Sequence, residues 1–90
     1  MPAFKMEDLR KKPVFDSNGV QVGNIILTQQ DKKTKLVSTA QLQINPNLKI
    51  KYPDIYRSVV YLDLNMVTVD PITKKVSLAK TVAELAPSWK

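Results

Sequence analysis

The 90-residue sequence contains no cysteine and no histidine. Without cysteine there is no disulfide, no thiolate nucleophile and no cysteine-held metal. Without histidine the chain lacks the usual general base at neutral pH and the commonest metal ligand. Arginine is scarce as well, two residues beside twelve lysines, although it is the side chain best suited to bidentate phosphate recognition. No apolar run is long enough to cross a bilayer, and the opening MPAFKMEDLRKK has no apolar core of signal-peptide length. These absences predict a cytoplasmic protein with no membrane span, no metal, no cofactor and no small-molecule substrate.

The residues that are present describe one small domain over 1–90. An apolar fraction of 43% and a charged fraction of 24% suit a globular chain rather than a disordered one. Net charge is +6, which raises the question of a nucleic-acid or acidic protein partner. Lysine also serves solubility and guards sheet edges, and the near-absence of arginine favours that use here.

Both glycines fall in VFDSNGVQVGN, residues 14–24. Two turns fit Ser17-Asn18-Gly19. An Asn18-Gly19 type I′ loop pairs Phe15 with Val22. A three-residue loop with Gly19 left-handed pairs Val14 with Val22, and is preferred because it gathers two β-branched residues on one face. Phe15 then lies diagonal to Gly23 and can cover the missing side chain. Past Gly23 the apolar alternation changes phase, from Val20 and Val22 to Ile25 and Leu27, as a bulge or bend requires. Gly19 is therefore expected to close a hairpin at positive φ, and Gly23 to bend a strand. A phosphate loop fits badly, since Asn24-Ile25-Ile26 follows in place of a lysine-serine pair and a helix. No apolar 20-mer surrounds the pair to make a membrane-helix contact.

Before Pro13, Met6 and Leu9 suggest one helical turn. After the polar turn Asp31–Lys35, Leu36, Ala40, Leu42 and Ile44 line one face of a strand. The turn recurs as Asp70–Lys75, with the echo Asp-x-x-Thr-Lys at Asp31/Thr34/Lys35 and at Asp70/Thr73/Lys74. Residues 45–58 are the least regular stretch, with a short helical turn expected at Pro53–Tyr56. Val59–Leu64, Met66–Val69 and Val76–Ala79 read as strands. Thr81 and Glu84 have capping-box spacing before a short helix over 81–86 that Pro87 ends, with Val82, Leu85 and Trp89 closing one end of the sheet. The fold class is mainly β: five to six short strands with one or two helical turns, rolled into a small barrel. Its expected core is Val14, Val22, Ile25, Leu36, Leu42, Leu62, Val67 and Leu78.

Leu9, Lys12-Pro13-Val14, Asp16-Ser17-Asn18-Gly19, Val22-Gly23, Ile25, the turn Asp31–Lys35, the strand from Leu36, VYLDLNMV at 60–67 and the KKVSLAK strand together resemble the PRC-barrel family over residues 6–85. Two features depart from the family pattern: the Asp31–Lys35 turn lacks a glycine, and the 45–58 loop is long and bears lysine and tyrosine. The resemblance implies a small stand-alone barrel of the archaeal type that binds other proteins without catalysis, as an adaptor in a cell-division ring or in RNA processing and ribosome assembly. It supplies no catalytic residues.

The residues themselves point away from an enzyme. The aspartates fall mostly in turns, the serines have no histidine to activate them, and no lysine is marked out as a base. Asp63, between Leu62 and Leu64, is expected to face outward. A binding module remains, in two forms. In the first, a sheet edge and the 45–58 loop contact a protein partner or a second copy, with Tyr52, Tyr56 and Arg57 as the expected contact residues; Tyr61 is assigned to the core. In the second, Lys32, Lys33, Lys35, Lys49, Lys51, Lys74 and Lys75 gather on one face to bind RNA, although only Tyr52 offers an adjacent aromatic platform.

Overall fold

A computed structural model describes residues 3–90. Its longest elements are two strands that apolar alternation and a polar turn bring together: β2 (Gln21–Gln30) and β3 (Val37–Ile44), antiparallel neighbours. Around them lie α1 (Met6–Leu9), β1 (Pro13–Phe15), α2 (Asn47–Lys51), β4 (Val59–Tyr61), β5 (Val67–Val69), β6 (Val76–Leu78) and α3 (Val82–Leu85). The six strands form one curled half-barrel sheet in the order β4-β3-β2-β1-β6-β5, all neighbours antiparallel except the parallel pair β1–β6. A 3₁₀ turn at Leu64–Met66 joins the two edge strands, and another at Ala86–Trp89 follows α3.

The curl begins at Gly23. Val14 stands opposite Gly23 and Phe15 opposite Gln21, so Val22 is an extra residue on β2. That bulge lets consecutive Val22 and Gly23 both be buried, and moves the inward parity from Val22 to Ile25, which flat alternation forbids. Val14 thus meets Val22 and Gly23 across a bulge, in place of the simple Val14–Val22 pair. Phe15 is paired with Gln21, one position from the Val14–Gly23 pair. Gly23 is packed so closely on β3 that any Cβ would press into the Gln43 carbonyl, and the centre of the Phe15 ring lies 4.4 Å from Lys75 Nζ.

Seven of the eight residues expected in the core are buried; Leu36 is only partly buried. β2 and β3 change register twice, between Ile25 and Leu27 and between Gln29 and Gln30, and the latter shift turns Val37 inward in place of Leu36. Leu9 and Ile55 are also buried, and Val82, Leu85 and Trp89 pack onto the same core from the C-terminal side. Pro53–Tyr56 is not helical. The helical turn of that stretch is α2, one proline earlier, where Pro46 precedes the helix and pre-sets its φ.

All three hairpin turns begin with aspartate. At the β1–β2 turn, Asp16 Oδ1 accepts the Asn18 and Val20 amides at 2.9 and 2.8 Å, and Gly19 sits at φ +82°. Asp16 is buried, and its Oδ2 accepts the Val82 amide at 3.1 Å, joining the turn to the start of α3. The echo turns are near-copies of each other. Asp31 Oδ1 accepts the Lys33 and Thr34 amides; Asp70 Oδ1 accepts those of Ile72 and Thr73. Thr34 and Thr73 each accept the amide two residues on, both at 3.3 Å. Lys35 and Lys74 close the loops at φ 62° and 64°.

Candidate interaction edge

A six-stranded open sheet leaves two edges, β4 and β5. On β4 the even-numbered residues turn their backbones toward β3: Val60 is paired with Leu42, the Ser58 carbonyl accepts the Ile44 amide at 2.8 Å, and the Leu62 amide donates to Ala40 at 2.9 Å. Antiparallel geometry then directs the N–H and C=O groups of Val59 and Tyr61 outward. Among the described residues no hydrogen bond meets them there. Such a row is a template for another strand.

Beside this edge runs a groove of about 530 Å³, lined among others by Val59, Tyr61, Met66, Leu85, Ser88 and Trp89. The Ala86–Trp89 turn is tied to the residues before β4. The Trp89 carbonyl accepts the Tyr56 and Arg57 amides, both at 3.2 Å, and Arg57 Nε donates to the Lys90 carbonyl at 3.0 Å. Arg57, Asp63, Lys80 and Glu84 also line the groove, so its charge is mixed.

The three tyrosines and Arg57 are not one cluster. Arg57 lines the groove, whereas Tyr56 is exposed and is not part of its lining. Tyr52 is half-buried against the core and faces a separate cavity with Pro53, Ala83 and Pro87. Tyr61 is a correction: it is 70% exposed rather than in the core. Strand alternation accounts for this, because the parity that buries Val60 and Leu62 must send Val59 and Tyr61 outward. That signal was already present in the sequence beside Leu62. Asp63 faces solvent as expected, and caps the following 3₁₀ turn by accepting the Asn65 amide.

The seven lysines do not share a face. The turns carrying Lys32, Lys33 and Lys35, and Lys74 and Lys75, lie at the end of the sheet where β1 begins, whereas Lys49 and Lys51 on α2 follow β3 at the opposite end. Even the two turns are apart. β2 runs six residues beyond Asn24, the partner of Pro13, which carries its tip about 20 Å past the start of β1.

The carboxylates are committed to local backbone. Six of the eight, Asp8, Asp16, Asp31, Asp63, Asp70 and Glu84, accept a main-chain N–H. Those bonds hold Asp31, Asp70 and Glu84 below their ordinary pKa, the amides of Thr34, Thr73 and Thr81 being the largest cause in each case. Among the described residues no group of histidine, cysteine or carboxylate side chains is placed to hold a metal ion, and no helix is long and apolar enough to cross a membrane. Compared with protein-family models and with curated proteins, the chain matches none of them.

Proposed function

We propose that this chain is a non-catalytic protein-binding module of PRC-barrel type, and that the β4 edge accepts an extended segment of its partner. One observation carries this: the outward backbone groups of Val59 and Tyr61 face a groove instead of a neighbouring strand. Added strands draw affinity from main-chain hydrogen bonds and selectivity from flanking side chains. Here the flanks are Val59, Tyr61 and the Arg57 guanidinium, the last two being residue types enriched at interface centres. The paired glycines, Gly19 and Gly23, which carry the family resemblance most strongly, lie in the β1–β2 hairpin and at its bulge.

Val59→Pro tests the proposal cleanly. The Val59 N–H points away from β3, so proline there deletes an outward donor without removing a ladder bond. Proteins captured from native lysate by the wild-type chain should be lost with Val59→Pro and kept with Lys32→Glu/Lys33→Glu. A folded Val59→Pro protein that keeps the same partners would overturn the edge as the binding site.

A further inference from the structure

Resting on the β4 edge as the binding site, we infer that its partner strand is β4 of a second copy, paired antiparallel about a two-fold axis through Val60. A two-fold pairing of identical strands admits few registers, because only Val59 and Tyr61 turn free backbone groups outward. With the axis at Val60, Val59 of one copy faces Tyr61 of the other, and each rung exchanges N–H···O bonds through those free groups. Past these two rungs the Arg57 side chain falls toward Asp63 of the other copy, with no backbone exchange there because the Arg57 amide donates to Trp89 and the Asp63 carbonyl accepts from Met66. All four residues lie on the exposed face of the strand, so the side-chain pairs read cation–anion, β-branched–aromatic, then the same reversed. Both pair types stabilise antiparallel strands.

Neighbouring registers lose this match. An axis at Val59 places Arg57 against Tyr61 and calls on the Arg57 amide, which already donates to Trp89. An axis at Tyr61 places Asp63 against Val59 and leaves Arg57 without a charged counterpart. Only the Val60 axis pairs opposite charges and puts both Val59 and Tyr61, whose amides are unengaged, into its backbone rungs. Such an isologous contact closes on itself as a dimer. With three residues in β4 the contact is small, which sets the dimer in the weak, concentration-dependent range.

Sedimentation across micromolar to millimolar concentration should show a reversible dimer. Arg57→Asp or Asp63→Arg alone should weaken it by about tenfold or more, and the double swap should restore it. Register is read independently by disulfide trapping, because the chain has no cysteine of its own. Val59→Cys and Tyr61→Cys proteins should crosslink efficiently when mixed and poorly when each is oxidised alone, since directly opposed residues fall within disulfide reach. Trapping does not depend on the charge-swap variants folding. A chain that remains monomeric at millimolar concentration, or a dimer indifferent to the swap and trapped no better in the mixture, overturns self-pairing. The Val59→Pro capture experiment is unaffected by that outcome, so the binding edge and the identity of its occupant fail separately.

Discussion

The Asp16–Val20 turn and the two lysine-closed turns solve one problem with different commitments. In each, an aspartate Oδ1 accepts two amides and a residue near the end of the loop adopts positive φ. At Asp31 and Asp70 the carboxylate is fully exposed and serves only its own loop. At Asp16 it is buried, and its second oxygen holds Val82, 66 residues away in the chain. The left-handed position differs in parallel: glycine in the buried turn, lysine in the exposed ones. A turn that anchors tertiary structure has been given the residue that fits its backbone best. The tips tolerate mild strain and keep a charge there instead.

The strongest way to break this contrast is to remove the buried carboxylate. Asp16→Ala leaves the Asn18, Val20 and Val82 amides without their acceptor and should cost about 3 kcal/mol, measured by urea unfolding. Asp16→Asn should fall between the two, because an amide oxygen can still serve the loop while its NH₂ faces the Val82 donor. Asp31→Ala and Asp70→Ala should cost clearly less, since their amides open to water. Equal losses at all three positions would mean that the bond to Val82 contributes nothing.

Exchanging the left-handed residues should sharpen the comparison in the opposite direction. Gly19→Val should cost about 1 kcal/mol or more, since a β-branched side chain resists φ +82° even though open space surrounds the Cβ position. Lys35→Gly and Lys74→Gly should each stabilise by about 0.5–1 kcal/mol, the relief of backbone strain exceeding the added flexibility of the unfolded chain. The check is the midpoint of thermal or urea unfolding. Destabilisation by both glycine variants would show that these lysines make contacts that outweigh the strain.

What the sequence disclosed, and what it hid, divides along the same line between local and long-range chemistry. The Asp-x-x-Thr-Lys echo, the Thr81/Glu84 capping box and the phase change at Gly23 depend on neighbours a few residues apart, and each has its signature in the order of the residues. The role of Asp16 was not legible, because Val82 is joined to it only by folding. Gly23 was recognisable as a bend but not as a contact, since the Gln43 carbonyl that excludes a side chain comes from another strand. Leu36 reads as inward because the shift between Gln29 and Gln30 leaves no pattern in either strand alone. At the candidate edge, alternation was enough to place Tyr61 outside. That β4 is an edge at all depended on the parallel β1–β6 pairing, which sends β5 to the far side of the sheet.

Acid should separate the two kinds of turn with the smallest effect and the finest resolution. Asp31 and Asp70 titrate below their ordinary value in the folded chain, chiefly through the Thr34 and Thr73 amides. A depressed folded pKa means that the carboxylate's contribution is fully present above the unfolded value and is lost as pH falls through the folded one. The window therefore lies below about pH 4. Because both groups are fully exposed, water replaces much of what is lost, and the response should stay local. Amide hydrogen exchange read residue by residue, and corrected for the intrinsic pH dependence, should show protection falling at Lys33, Thr34, Ile72 and Thr73 as these carboxylates protonate. Over the same range Leu42 and Val76, buried in the central strands, should keep theirs. Simultaneous loss at the tips and in the core would show that the exposed turns are coupled to the global fold as tightly as the Asp16 turn, and the distinction between them would collapse.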